Sequence, residues 1–191
     1  MTSDLDLKER ILNTASNLFY TRGINTTGVD KIVKAAGTTK MSLYKYFPSK
    51  DELVLAHLRK SSAKMRMRIG TITDNPTLNP KARLVAVFDV FDELLALPEF
   101  RGCPLINASA EFATEDNPVR KAAAEFYDDF RRTLANVAQQ AKIDNPGQLA
   151  CQLVLLITGA IVAEQLQKNS GAMQLARQTA DMLIAGPKTG S

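Results

Sequence analysis

Histidine and cysteine are scarce in this chain of 191 residues, which has one histidine, His57, and two cysteines, Cys103 and Cys151. A single histidine makes a metal site built from histidine and cysteine ligands implausible, and two cysteines are too few for a disulfide framework. The sequence also lacks a nucleophile motif, a glycine-rich phosphate loop and the spacing of metal ligands. We therefore expect no metal, no cofactor and no enzymatic activity.

Long apolar segments are lacking as well. The longest apolar run, from Leu153 to Ala163, covers eleven residues, which is about half of what a membrane-spanning helix needs. The first ten residues, MTSDLDLKER, have neither the basic start nor the apolar core of a signal peptide. We expect a cytoplasmic protein that does not contact a membrane.

Apolar residues recur at helical spacing along the chain, and no stretch shows the sustained alternation of a β-strand. The predicted fold is all-α, with about nine helices that begin at capping residues or Asn-Pro pairs and often end at glycine. Helix 1 should begin near residues 4–6, helix 2 at Thr27 as its cap, helix 3 near Thr39, and helix 4 after Ser49. The later helices are predicted at 80–97, 103–113, 118–142, 146–168 and 172–185.

The charge of the chain is divided unevenly along its length. Residues 1–70 contain 13 lysines and arginines against 6 acidic residues, a net charge of +7, whereas the remainder carries −3. A basic module joined to a mildly acidic one indicates that only the first contacts a polyanion. We predict a domain of residues 1–50, a bridging helix over about 50–70, and a second domain of residues 71–191.

The segment GTTKMSLYKYFPSK, residues 37–50, concentrates lysine, tyrosine and hydroxyl side chains. Together with helix 2 it forms a predicted helix-turn-helix, a motif whose second helix enters the major groove of DNA. Helical spacing buries Leu43 and Phe47 together and turns the opposite side outward. The alternative is a plain helical hairpin whose lysines and tyrosines only cover its surface.

The outward side chains have the chemistry that DNA recognition needs. Lys40 can donate to guanine, Met41 can contact a thymine methyl group, and Ser42 can bond to a base or a phosphate. Tyrosine hydroxyls, Lys50 and the start of helix 2 suit phosphates, which set position without reading sequence. The predicted DNA-binding residues are Thr26, Thr27, Lys40, Met41, Ser42, Tyr44, Lys45, Tyr46 and Lys50.

The stretch AAGTTKMSLYKYFPSKDEL, preceded by GINTTGVDKIVK and ILNTASNLFYTRG, closely resembles the DNA-binding domain of tetracycline-repressor (TetR) family transcriptional regulators. The resemblance covers roughly residues 7–58. It implies phosphate contacts by Thr27, Tyr46 and Lys50, and groove-facing positions for Lys40, Met41, Ser42 and Tyr44. The family often has glycine where Met41 stands, serine or threonine where Gly28 stands, and histidine where Tyr46 stands, which bears on the operator that is read.

The resemblance also implies a larger helical domain that forms a homodimer through its last two helices and holds a small-molecule effector. Helix 8 is apolar almost all round, and Gly159, Ala160 and Ala163 would let another helix approach closely. The alternative is that helix 8 is the core of a monomer. The predicted dimer residues are Leu153, Leu156, Ile157, Ala160, Ile161, Met173, Ala176, Ala180 and Leu183.

Aromatic residues with a few polar neighbours on helices 5 to 7 are typical of a small-molecule cavity, and equally of an ordinary core. The candidate effector residues are Phe88, Phe91, Cys103, Ile106, Asn107, Phe126, Tyr127 and Phe130. Cys103 could also be a reactive thiol, because Arg101 and a helix start would lower its pKa, although a small buried apolar residue is the plainer interpretation.

These patterns favour a sequence-specific regulator that binds a near-palindromic double-stranded operator as a homodimer and is released by a small molecule. Two other classes stay open. One is a helical protein that binds small molecules without reading an operator. The other is a protein that coats nucleic acids regardless of their sequence.

Overall fold

The computed structural model describes residues 2–112 and 114–186, and within them every regular element is a helix. The amphipathic spacing of the sequence therefore predicted the fold class correctly. The helices are α1 (Thr2–Arg22), α2 (Val29–Ala35), α3 (Lys40–Tyr46), α4 (Lys50–Thr73), α5 (Pro80–Leu95), α6 (Pro104–Glu111), α7 (Pro118–Gln140), α8 (Pro146–Leu166) and α9 (Ala172–Ala185).

The described residues form two compact units. The first comprises the described parts of Met1–Ala63 and Cys103–Glu125, and the second those of Lys64–Gly102 and Phe126–Ser191. The segment 103–125 thus belongs with the first unit, although it falls within the predicted second domain. The predicted division into residues 1–50, a bridging helix and residues 71–191 stays a prediction.

The core of the first unit is made by one stripe of α1 and the helices that pack on it. Ile11, Ala15 and Phe19 of α1 are buried, and α2 and α3 each contribute a buried side chain, Ile32 and Leu43. α1 packs against both α2 and α3, and α2 packs against α3. Burial of these apolar side chains stabilises the three-helix head by roughly 1.5–3 kcal/mol for each large one.

Side-chain caps hold the starts of α3, α4 and α5, whereas the predicted starts of helices 1 and 2 need correction. α1 begins at Thr2, ahead of the predicted residues 4–6, and ends at Arg22, followed by Gly23, whose φ of +90° suits glycine. The predicted start of helix 2 at Thr27 is wrong, because α2 begins at Val29 with Gly28 as its N-cap. The Thr27 hydroxyl donates instead to the carbonyl oxygen of Gly23, at 2.7 Å.

The sequence has Asn-Pro pairs that begin at residues 75, 79, 117 and 145, and they have different structural roles. The Asn79 side chain accepts from the amide of Ala82 at the start of α5, as predicted. Asn145 precedes α8 without a capping hydrogen bond from its side chain. Asn75 caps only a turn, accepting from the amide of Thr77, in the segment between α4 and α5.

α8 and α9 pack against each other and against α5 in the second unit. Among the described helices, α8 is long and apolar enough to cross a membrane by length and composition, a test that core helices of soluble proteins also pass. The apolar run of eleven residues therefore understated the length of the apolar helix. Leu153, Ile157 and Ile161 of α8 are buried within the subunit.

His57 of α4 is buried in the first unit, with its ring centroid 5.8 Å from that of Phe19. Its Nδ1 has no hydrogen-bond partner within the described part of the chain. Burial lowers the pKa of His57 from 6.5 to about 4, because the charged imidazole is poorly solvated there.

We expect stability to decrease as the pH falls below 6.5. His57 becomes protonated near pH 6.5 in the unfolded chain but only near pH 4 in the folded chain. The free energy of unfolding should therefore decrease by about 2 kcal/mol between pH 7 and pH 5 because of this residue. Thermal unfolding at both pH values measures the loss. His57→Leu should reduce it by that amount, and an unchanged pH dependence in the variant would contradict the assignment.

Candidate nucleic-acid interface

α3 has one buried side and one exposed side, as the sequence predicted. Leu43 and the C-capping Phe47 are buried against the core, whereas Met41 is 83% exposed and Tyr44 44% exposed. Lys45 is also exposed, and Ser42 and Tyr46 are partly exposed. The outer side of the helix therefore offers a lysine, a thioether, a hydroxyl and aromatic rings to a partner.

The start of α3 is held by Thr39, whose side-chain oxygen accepts from the amide of Ser42 at 3.2 Å. The Thr39 hydroxyl also donates to the Ser42 hydroxyl oxygen, at 3.1 Å. Gly37, with φ of +59°, lets the chain reverse between α2 and α3. A short, capped second helix after a tight turn is the geometry of a helix-turn-helix.

Lys40, at the first turn of α3, forms a salt bridge of 2.7 Å with Asp30 of α2. The hydrogen bond and the charge of Asp30 raise the pKa of Lys40 above its ordinary value. The predicted base-reading cation is thus held by a carboxylate whose pairing with Lys40 the sequence patterns did not predict. Both side chains remain largely exposed, so Lys40 can exchange this partner for a base edge.

The predicted phosphate-binding residues fall into different surroundings. Thr26 is exposed, and its hydroxyl donates to the carbonyl oxygen of Arg22. Lys50 donates to the carbonyl oxygen of Ile24 at 2.7 Å, and ammonium donors remain for another acceptor. Thr27 is fully buried, so a phosphate contact through its hydroxyl is excluded in this conformation.

Two family models match the chain. The model described as "Bacterial regulatory proteins, tetR family" matches residues 11–57, and "Tetracyclin repressor-like, C-terminal domain" matches residues 80–180. The second match alone covers more than half of the chain. The chain belongs to the TetR family. It is a helix-turn-helix transcriptional regulator, in a family made of regulators rather than enzymes.

Individual TetR-type proteins are similar to nearly the whole chain. The HTH-type transcriptional regulator YxaF of Bacillus subtilis (strain 168) is 25% identical over 187 residues, 96% of this chain and 98% of that protein. LmrA, an HTH-type transcriptional regulator of the same organism, is 24% identical over 86% of this chain and 89% of that protein. SCO4454, a TetR-family regulator from Streptomyces coelicolor, has a TM-score of 0.89 at 26% identity, covering 94% of each chain.

A cleft of about 600 Å³ lies in the second unit of this TetR-family protein, between the second half of α4 and α7. Asp129 lines it and accepts hydrogen bonds from Arg132 and from Arg66, which hold the pKa of Asp129 below its ordinary value. Arg66 also lies over the ring of Phe126, 5.6 Å from its centroid. Other lining residues are Ile69, Gly70, Thr73, Asp74, Phe130, Thr133, Asn136, Val137 and Gln140.

This cleft differs from the predicted set of effector residues. Phe126 and Phe130 line it, and the lining does not include Phe88, Phe91, Cys103, Ile106, Asn107 or Tyr127. Phe88 and Phe91 are buried in α5 as core residues. The arginines, Thr133 and Asn136 were not predicted, because polar residues on long helices usually indicate only a solvated surface.

An apolar face on α8 and α9, which we call the α8–α9 face, is the second exposed surface of interest. Leu155 of α8 and Leu175 of α9 are 70% and 65% exposed. They line a groove of about 490 Å³ whose other residues are Gln152, Leu156, Gly159, Ala160, Ala172, Ala176, Thr179 and Leu183. Contiguous apolar exposure of this kind marks an interaction surface.

The predicted dimer residues are divided between the groove and the core of the subunit. Leu156, Ala160, Ala176 and Leu183 line the groove, whereas the other predicted members are buried within the subunit, and the dimer contacts of the set stay a prediction. The buried members, two of which also line the groove, are Leu153, Ile157, Ala160, Ile161, Met173, Ala176 and Ala180. Because α8 is apolar on both sides, helical spacing could not distinguish the side that faces the core from the side that is exposed.

Proposed function

We propose that this TetR-family regulator is a cytoplasmic repressor that binds a near-palindromic operator as a homodimer and leaves it when a small molecule binds. The observation that carries the proposal is the exposed outer side of α3, with Lys40, Met41, Ser42 and Tyr44 facing away from the buried Leu43. A dimer presents two such helices, which suits half-sites one turn of DNA apart.

The experiment that tests operator recognition begins with DNA fragments that the protein selects from its own genome. Affinity for a selected duplex and for its scrambled sequence is then measured across a range of salt concentrations. A specific reader keeps a preference of about a thousandfold or more at physiological salt. Equal affinity for both duplexes would favour either a small-molecule-binding protein or a general coating of nucleic acid.

The α8–α9 face supports the dimer, with a second copy as its occupant. Leu155, Leu175 and Met182 are each more than half exposed, which is costly for a monomer and ordinary for an obligate interface. Gly159 lies in the groove between the two helices and allows a helix of a second copy to approach closely. In a two-fold symmetric dimer, α8 and α9 of one copy would pack against α8 and α9 of the other, so the interface would contain four helices.

The cleft between α4 and α7 is the proposed effector site. Phe126 and Phe130 supply apolar surface, while Thr133 and Asn136 supply polar groups that can orient a ligand. Release from DNA requires that the ligand bind the DNA-free state more tightly than the DNA-bound state. A reporter strain exposed to a library of small molecules identifies inducing compounds.

Sensing through Cys103 is a second proposal, because the residue is the N-cap of α6 and partly exposed. The same reporter separates the two proposals. A bulky Thr133→Trp substitution should abolish induction by the compounds if the cleft is the site, with operator binding retained. Cys103→Ser should leave induction intact in that case, and its loss in Cys103→Ser with retention in Thr133→Trp would favour the thiol.

Asp30 should restrain non-specific binding, and we expect Asp30→Asn to strengthen binding to a scrambled duplex about three- to tenfold. The substitution frees Lys40 from its salt bridge and removes a negative charge next to the predicted DNA-facing helix, so phosphates are attracted more strongly. Fluorescence anisotropy with the scrambled duplex measures the effect. Glu9→Gln is the matched control, because Glu9 pairs with Lys60; an equal gain in both variants would contradict a local role for Asp30.

A further inference from the structure

The turn between α1 and α2 is bound by a carboxylate that comes from a distant part of the sequence. Glu111, the last residue of α6, accepts from the amide of Ile24 through Oε1 at 2.8 Å and from the amide of Asn25 through Oε2 at 2.7 Å. The Asn25 side chain donates in return to the carbonyl oxygen of Glu111, at 3.1 Å. Both oxygens of one carboxylate are therefore used by consecutive backbone amides.

The turn is shaped to receive this carboxylate. Gly23 has φ of +90°, and a Cβ at that position would lie 3.4 Å from Oε1 of Glu111. A side chain there would be strained by its backbone conformation, and its Cβ would lie in contact with the carboxylate. Glycine at this position thus suits the end of α1 and leaves Glu111 room beside the turn.

The other side of the same turn is also held. The carbonyl oxygen of Ile24 accepts from Lys50 at 2.7 Å and from the amide of Thr27 at 3.2 Å. The Ile24 side chain is buried. The peptide groups on both sides of Ile24 therefore have a charged partner, and hydrogen bonds to charged groups are the stronger ones.

The turn leads directly into the DNA-binding helices. Only Thr26 and Thr27 separate Asn25 from Gly28, the N-cap of α2, and α2 carries the Asp30 that pairs with Lys40. The turn is therefore connected to α2 by two residues, and α2 in turn packs against α3.

We propose that Glu111 is a positioning residue for DNA binding: its carboxylate holds the α1–α2 turn in the conformation in which α2 and α3 engage an operator. This inference rests on the proposed function of the helix-turn-helix as an operator reader. It adds a determinant of affinity that lies outside the helix-turn-helix and contacts no DNA itself.

The test compares Glu111→Gln with Glu115→Gln, a nearby exposed glutamate, in the full-length protein. The probe is the duplex selected from genomic fragments. The side-chain nitrogen that Glu111→Gln introduces cannot accept from a backbone amide, so one of the two bonds is lost, and we expect about tenfold to a hundredfold weaker binding to this duplex. Glu115→Gln should bind as the original protein does.

Hydrogen exchange distinguishes positioning from a loss of folding. In Glu111→Gln the amides of Ile24 and Asn25 should exchange faster, while the amide of Leu43, bonded to Thr39 within α3, stays protected. Unchanged operator affinity, unchanged exchange at Ile24 and Asn25, or loss of protection at Leu43 as well would each overturn the proposal. Failure of the proposed function would show differently, because the unaltered protein would then not distinguish the selected duplex from its scrambled sequence.

Discussion

Replacing Leu155 and Leu175 together with glutamate should convert the proposed homodimer into a monomer and weaken operator binding at least about a hundredfold. Both side chains are largely exposed on the α8–α9 face, and four carboxylates in an apolar interface of two copies would lack partners for their charges. Once the subunits separate, the second DNA-binding head no longer benefits from the high effective concentration that the dimer provides.

Sedimentation velocity measures the subunit state, and fluorescence anisotropy with the selected duplex measures the affinity. Leu97→Glu is the matched control, because Leu97 is also an exposed leucine but lies outside the α8–α9 face. A double variant that remains a dimer would show that the subunits meet elsewhere. A monomer with full operator affinity would contradict the need for two heads.

Lys40→Ala should weaken binding to the selected operator at least about thirtyfold, and binding to a scrambled duplex by no more than about three- to tenfold, the part that comes from its charge alone. A lysine contact to guanine contributes about 1–3 kcal/mol of discrimination, and a dimer makes it twice. Lys40 begins α3 on its exposed side and would have to give up its salt bridge with Asp30 to contact a base. The expected loss of affinity is therefore toward the lower end of this range.

Lys121→Ala is the appropriate comparison, because Lys121 is an exposed lysine paired with an aspartate, Asp116, and lies in α7. Anisotropy titrations at a fixed salt concentration give both affinities. If Lys40→Ala weakened both duplexes equally, Lys40 would be a phosphate contact rather than a base contact.

Local signals predicted most of the fold. Thr39 caps α3, Asn79 caps α5, and the buried pair of Leu43 and Phe47 orients the recognition helix as helical spacing requires. Each of these features depends on residues within a few positions of one another, which a sequence displays directly.

The sequence-based predictions failed where a residue had an alternative hydrogen-bond partner, where two sides of a helix look alike, or where a contact joins distant parts of the chain. Thr27 has the sequence context of an N-cap, but its hydroxyl donates to Gly23 in the turn after α1, so Gly28 takes the capping position. α8 is apolar on both sides, and its spacing could not tell the core side from the side that bears Leu155. The bonds from Ile24 and Asn25 to Glu111 span 87 and 86 positions of sequence, and no local pattern predicts them.

The proposed function depends above all on base reading by the outer side of α3. Base reading is tested most directly by selecting bound duplexes from a randomised pool, once with the original protein and once with Lys40→Ala. We expect the variant to lose its guanine preference at one position in each half-site and to keep its preferences elsewhere. Identical base preferences at every position in the two selections would refute base reading by Lys40.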